Sequence, residues 1–459
     1  MTKRCISSGI IFFVVLIMGM VAFALPSVKV TVSSTTLTVK TKIYTYDLNV
    51  KTGLLEKGYL AFKRNQLFWI YGGDGLDLSV AGTKLIPISW NVNGKKSDFK
   101  TTSDVSVNFF YDYNGQKIEK TITFVNGPNY EIKVSVTGPK NLKMKLSFPA
   151  LMSDYDRVRE NGKLFTSYSS GYKNIIVAKA ENGKFEKNNI VEFTSNVKIT
   201  AYLGPVKNSE IFSLFPNDAG TISEILKEYP GSEPWYGWFL YLFVRILNWI
   251  YSWSGNYGWA IIIFAILVRL SIYPLSHAQM KSMVQMRKLQ PKVKEIQRKY
   301  KDPKKQQEEL MKLYKSEGAN PASGCLLSIV QLPVLFLLYY VIIYSKEAFA
   351  YNGQFLIWND LSVGGFQANV ILVLLIILLT AWSTLWTSTN AKQAWQSIAM
   401  FTVMEFLFVG FPVGLFLYYT TFSAMQLLTT YVVAKMYHIQ GISVRELFGM
   451  NPKRKYSRR

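Results

Sequence analysis

The chain has 459 residues, 49% of them apolar and 15% aromatic, and a formal charge of +23. That apolar content excludes a disordered chain, and the length allows two or three domains. Two cysteines (Cys5, Cys325) and two isolated histidines (His277, His438) exclude a disulfide framework and a Cys/His metal site, and no Walker-type glycine loop supports an ATPase.

Residues 1–25 hold the first apolar run, ISSGIIFFVVLIMGMVAFAL over 6–25, behind Lys3 and Arg4. About 20 apolar residues suffice to span a bilayer. Ala22-Phe23-Ala24 has the small-x-small look of a signal cleavage site, but the run exceeds a usual signal core and favours a retained anchor. Either way the basic pair holds the N-terminus inside and sends residues 26–230 outward. Those residues alternate apolar and polar in VKVTVSSTTLTVKTKIYTYDLNV, SVNFFYDYNG and YEIKVSVTG, with turn signals at Asn93-Gly94, Asn114-Gly115 and Asn182-Gly183. Many short strands at this spacing predict a large antiparallel β-sandwich. No acidic pair or ligand cluster stands out in it, so an enzyme is not expected, no cofactor is expected, and a sugar-binding role is not licensed by fold alone.

In residues 231–254, nine of the twenty positions 234–253 are aromatic and Arg245 sits mid-segment. Aromatic side chains belong at the headgroup level, which predicts an amphipathic helix lying in the interface. Were it to span, the most basic loop would end up outside. Residues 255–440 then carry five spans at about 256–279, 323–345, 366–387, 397–411 and 413–436. A continuous helix through the last two would be about 60 Å long, twice the hydrocarbon thickness, and Gly410-Phe411-Pro412-Val413-Gly414 divides it. The loop 281–318 has 12 basic and 5 acidic residues. Its apolar positions Leu289, Val293, Ile296 and Tyr300, then Leu310, Leu313 and Tyr314, recur at helical spacing around Asp302-Pro303 and predict a helical hairpin. It reads either as a solvated loop that sets topology or as a docking arm for incoming chains or ribosomes. The outside loop 346–365 carries only Lys346, Glu347 and Asp360, and the tail 441–459 is basic and cytoplasmic. Both termini therefore face the cytoplasm of a multi-pass inner-membrane protein, with residues 26–230 periplasmic.

Arg269 lies ten residues beyond Trp259 and twelve before Lys281, which is about 15 Å from either boundary. A charge at that depth costs about 3 kcal/mol or more, so it needs a partner or water. Gln331, Thr380, Ser383, Thr384, Gln426 and Thr430 are the polar candidates for lining a wet cavity around it. Glu405 is a second intramembrane charge. It reads either as a buried ion pair with Arg269 or as a residue tuning the arginine's field, and electrostatic contact between the two is expected.

Three segments resemble the YidC-type membrane protein insertases: RLSIYPLSHAQMKSMVQMRKLQPKVKEIQRKY (269–300), NPASGCLLSIVQLPVLFLLYY (320–340) and GFPVGLFLYYTTFSAMQLL (410–428). The order of anchor, large outside β domain, five spans and basic tail resembles the Gram-negative form. The resemblance implies a membrane α-helical bundle of five core helices plus an N-terminal anchor, with a large periplasmic antiparallel β-sandwich. It implies an insertase and chaperone that moves transmembrane segments of nascent proteins into the inner membrane through a cytoplasm-open hydrophilic groove. Residue by residue, Arg269 matches the groove arginine, Gln331 and Pro333 the Gln-x-Pro of a substrate-contacting span, Cys325 a small-residue turn, and Tyr418 and Tyr419 the paired tyrosines of the last span. Thr384 and Gln426 join them as groove candidates, and Glu405 has no counterpart in the family pattern. Implied partners are nascent membrane proteins, membrane lipids, the Sec translocon, the ribosome and signal recognition particle components, with no direct nucleic-acid specificity. The short tail argues against a strong ribosome tether. The competing reading is a polytopic transporter or channel with Arg269 as substrate counter-ion, against which no internal repeat is found.

Overall fold

The computed structural model describes residues 26–62, 67–68, 75–151, 157–169, 173–186, 189–228, 237–274, 289, 291–317, 323–388, 391–437 and 441–450. The proposed anchor at 1–25 and the last nine residues lie outside the described residues. The chain forms two units, the first comprising residues up to Tyr241 together with Lys346–Asn352, the second Leu242–Ser345 and Gly353 onward.

In chain order the strands of the first unit are β1 (Val28–Val32), β2 (Thr36–Lys40), β3 (Tyr44–Asn49), β4 (Leu55–Leu60), β5 (Leu67–Phe68), β6 (Asp77–Val80), β7 (Thr83–Lys84), β8 (Ser89–Val92) and β9 (Phe99–Thr101). There follow β10 (Val105–Tyr113), β11 (Gln116–Phe124), β12 (Glu131–Thr137), β13 (Lys143–Ser147), β14 (Arg157–Asn161), β15 (Leu164–Ser169), β16 (Asn174–Glu186) and β17 (Ile190–Pro205). One sheet runs β5-β4-β3-β2-β1-β9. The other runs β14-β15-β16-β17-β12-β11-β10-β8, with β13 also on β17 and leading to β6 and β7. All pairings are antiparallel, and alternate residues turn inward. Val30, Val39 and Tyr46 of one sheet meet Val107, Phe109, Ile122 and Phe124 of the other in a single apolar core, with Tyr46 stacked on Phe124 at 5.5 Å. Asn114 and Gly115 both have positive φ (52° and 79°), the backbone that a two-residue hairpin between β10 and β11 requires.

Lys120 breaks the apolar pattern. It takes an inward position of β11 and is fully buried. Its Nζ donates to the carbonyls of Gly53 (2.8 Å) and Leu76 (2.5 Å) and lies 5.4 and 5.6 Å from the Phe109 and Tyr111 ring centres. Residues 26–230 are not β throughout: α1 (Asn208–Leu214) and α2 (Ala219–Lys227) follow β17. The reason is local, because Ile222, Ile225 and Leu226 recur at helical spacing and bury one face.

The second unit takes in most of α3 (Gly237–Ser254), then α4 (Tyr257–Ser271), a helical stretch over 291–299, α5 (Pro303–Ser316) and α6 (Ser323–Tyr344). After α7 (Lys346–Asn352), which belongs to the first unit, come α8 (Phe366–Thr387), α9 (Ala391–Leu407), α10 (Val413–Met436) and α11 (Val444–Leu447). Helix α10 packs against α4, α6 and α8, and α9 packs against α8. Among the described residues, α8 alone is long and apolar enough to cross a bilayer unaided, and α4 is apolar but shorter. Large apolar side chains face outward, including Ile371, Leu374 and Leu378 of α8, Met400, Val403 and Leu407 of α9, and Trp238, Trp249 and Trp253 of α3. Such a band is what a lipid-facing surface requires.

Within the span 256–279, α4 ends at Ser271 with the Ile272 N–H on the Val268 carbonyl, 273–274 are again helical, and 275–279 lie outside the described residues. Two other elements differ from the sequence reading. The span 397–411 becomes α9, starting six residues earlier since its first turns carry Lys392, Gln393 and Gln396, and ending before the turn at 408–412. The loop 346–365 contains α7, which is built into the first unit. Of the hairpin 281–318, residues 291–317 are described apart from its start, and 281–288 lie outside the described residues.

Burial pushes the Lys120 ammonium down to about 7, with Asp77 opposing the shift. The unfolded chain therefore binds an extra proton between that value and the ordinary lysine range, so stability should rise as pH increases from about 7 toward 10. Thermal unfolding of the detergent-solubilised chain, followed by the β-sheet circular dichroism signal, should show this rise, and Lys120→Met should flatten it.

Candidate functional site

Arg269 occupies the last turn of α4, where the exposed carbonyls of the helix end favour a cation. Its side chain is only 1% exposed, and Nε, Nη1 and Nη2 are all buried without a hydrogen-bond partner among the described residues. The guanidinium carbon lies 4.9 Å above the Phe422 ring. A desolvated cation–π contact is worth about 2 kcal/mol, whereas an intramembrane arginine costs about 3 kcal/mol or more. The ring does not satisfy the charge alone.

Phe422 belongs to one face of α10. Tyr418, Phe422, Gln426 and Thr430 are spaced by four and so lie one above another along the helix. Tyr418 is buried between Phe264 at 6.2 Å and Phe422 at 6.1 Å, within electrostatic reach of Arg269. Lower on the face, Gln426 Nε2 donates to Thr430 Oγ1 at 3.3 Å, while Gln426 Oε1 is buried with no partner among the described residues. Thr384 of α8 is buried, and its hydroxyl donates to the Thr380 carbonyl while its oxygen keeps its capacity to accept.

The sequence reading expects electrostatic contact between Arg269 and Glu405. Among the described residues no ion pair joins the two, and protein atoms cover the arginine. Glu405 is buried on α9, within electrostatic range of Tyr419 of α10. Successive residues of a helix are about 100° apart, so the two charges address different sides of α10. Pro333 is an exposed position inside α6, where its missing N–H leaves one main-chain carbonyl without its helical donor. Gln331 and Cys325 fall on the same helix, and their side chains lie outside the described residues.

Close backbone approaches hold these elements. Asn256 caps α4 by accepting from Gly258 N–H, and its amide donates to the Gln354 carbonyl. A Cβ on Gly258 would stand 2.1 Å from the Phe355 ring, and one on Gly364 would stand 2.3 Å from the Gly410 carbonyl oxygen. Val413 and Gly414 N–H donate to the Val363 and Leu361 carbonyls. Asn369, fully buried in α8, donates from Nδ2 to both the Val409 and Phe411 carbonyls at 2.8 Å and so pins the turn between α9 and α10. Sequence reasoning missed Asn369 and Phe422. A lone amide in an apolar span signalled the first, and the spacing of four from Tyr418 would have found the second.

Comparison with known proteins gives a consistent picture. Residues 249–440 match the family described as 60Kd inner membrane protein. The chain is 38% identical over 435 residues to the membrane protein insertase YidC of Thermotoga maritima, covering 94% of this chain and 96% of that one. It is 30% identical to the insertase YidC of Helicobacter pylori strain J99, over 71% of this chain and 56% of that protein. A crystal structure of an active YidC insertase with its first transmembrane domain resolved superposes with a TM-score of 0.73 at 35% identity, covering 94% of this chain and 99% of that one. The crystal structure of YidC from Thermotoga maritima gives 0.62 at 27% identity, covering 88% and 99%.

Replacing Asn369 with Leu should leave two turn carbonyls without donors, a loss of about 2 kcal/mol or more. The detergent-solubilised variant should unfold several degrees below the parent chain in a thermal aggregation assay.

Proposed function

The chain belongs to the YidC family of membrane protein insertases, and we propose that Arg269 and the α10 face beneath it receive the polar end of each incoming chain. It is an inner-membrane protein with a periplasmic β domain, and nascent membrane proteins are its substrates. The observation that carries the site reading is the buried guanidinium whose three nitrogens have no acceptor among the described residues. Such a group binds whatever oxygen reaches it, whether water or a carboxylate, and in a medium of low dielectric the attraction to an acidic segment is strong.

A short outside-bound segment enters from the cytoplasmic side and docks against Arg269, with Gln426 Oε1 free to accept a main-chain N–H. The following transmembrane segment slides along the outward apolar side chains of α6 and α10, namely Phe336, Tyr340, Leu428, Val432 and Met436, and partitions into lipid. Burial of its apolar surface drives the step at about 25 cal/mol per Å². The membrane potential assists negative charges moving outward. Tyr418, Tyr419, Gln331, Pro333 and Thr384 line the route in this scheme, and Glu405 beside Tyr419 favours basic groups on the opposite side of α10. No nucleotide is consumed. The reading includes a multi-pass topology with both termini cytoplasmic, and it makes the basic helices at 291–317 the docking arm for ribosome, signal recognition particle or Sec translocon. The transporter alternative finds no support in the relatives.

Replacing Arg269 with Ala removes charged hydrogen bonds worth about 1.5–3 kcal/mol, which corresponds to a roughly ten- to hundredfold drop in insertion. In cells depleted of their own insertase, single-span substrates with acidic tails should insert at that reduced rate, and Arg269→Lys should retain part of the activity. Undiminished insertion by Arg269→Ala would refute the groove role.

A further inference from the structure

Helix α7 is flanked in sequence by helices of the second unit yet is built into the first. Its second residue, Glu347, is 3% exposed and carries a buried carboxylate. Lys207, at the entry to α1, forms an ion pair with Glu347 Oε2, and Tyr130, just before β12, donates its hydroxyl to Glu347 Oε1 at 2.6 Å. A second acid, Glu210 of α1, lies 3.4 Å from the same ammonium. The pocket is shaped for this link: a Cβ on Gly204 would stand 2.7 Å from the Tyr130 ring, which Tyr202 supports edge-on at 5.9 Å. Beyond Glu347, Phe349 and Tyr351 are buried as well, and Tyr351 joins the core of the β unit.

A buried ion pair adds little net stability over well-packed apolar residues, and its best-attested use is to fix one arrangement among alternatives. The two partners of Glu347 are 140 and 217 residues away in the chain, so this link specifies a long-range register. Only Ser345 separates α7 from the end of α6. We infer that Glu347 is a positioning residue for insertion: its bonds to Lys207 and Tyr130 fasten α7 into the periplasmic domain and thereby hold the end of α6, one residue away. The inference rests on the reading above that α6 borders the substrate route.

The test uses the full chain in insertase-depleted cells, with membrane accumulation measured beside insertion. Glu347→Lys should lower insertion about tenfold, since it sets two cations together in a buried site. The charge-swapped pair Lys207→Glu with Glu347→Lys should recover most of the parent rate, which a merely structural role for either position alone would not produce. Tyr130→Phe removes a single hydroxyl and should give a smaller loss at normal accumulation. It decides the question if Glu347→Lys fails to accumulate, because parent-rate insertion by Tyr130→Phe would then overturn the proposal. A photocrosslinking side chain in place of Phe336 separates the two levels. No crosslink to a stalled nascent chain in the parent protein overturns the α6 route itself, whereas a parent crosslink that persists unchanged in Glu347→Lys overturns the positioning role. Failure of the swapped pair to recover despite normal accumulation also overturns it.

Discussion

Arg269 carries a positive charge inside an apolar bundle, while its neighbours among the described residues offer it an aromatic ring and no hydrogen-bond acceptor. Much of the helical unit is arranged around that imbalance. The helix end behind the arginine supplies a favourable dipole, the Phe422 face supplies a quadrupole, and the remaining demand falls on mobile oxygens. Under the proposed function, the polar leading segment of a guest polypeptide supplies them.

The rest of the unit is built to hold α10 against that arginine. Its first half is buried nearly all round, with Gly414 allowing Ile261 of α4 and Ile342 of α6 to approach within about 3 Å of where a methyl would stand. Helix packing in a lipid-like environment draws on such small residues, since lipid chains compete equally well for apolar contacts. Asn369 and the main-chain bonds from Val413 and Gly414 fix the entry of the helix. The β unit draws on a different resource, the apolar core between two sheets, and tolerates one buried lysine by giving it two carbonyls and two rings.

Much of this was written in the chain in readable form. Period-two alternation marks β10, β11 and β12, and the Asn114-Gly115 pair marks their hairpin. Arg269 stands out because a charge in an apolar run is rare, and Gln426 and Thr384 for the same reason in weaker form. Phe422 does not, because an aromatic residue in an apolar helix looks like any other lipid-facing or core position. The placement of α7 was illegible for a different reason. Seven residues with one acid carry no periodic signal, and the partners of Glu347 lie on segments that only the completed β fold brings together. The start of α9 was misplaced because its polar first turns, with Lys392 and Gln393, blurred the apolar boundary.

The turn after α9 is stitched to the loop before α8 by main-chain hydrogen bonds, with Gly364 bridged to Pro412 and Asn369 holding the Val409 and Phe411 carbonyls of the turn. Parting these segments would break the main-chain bonds of Val413 and Gly414 together with both bonds of the Asn369 amide, so this end of the helical unit resists local opening as one piece.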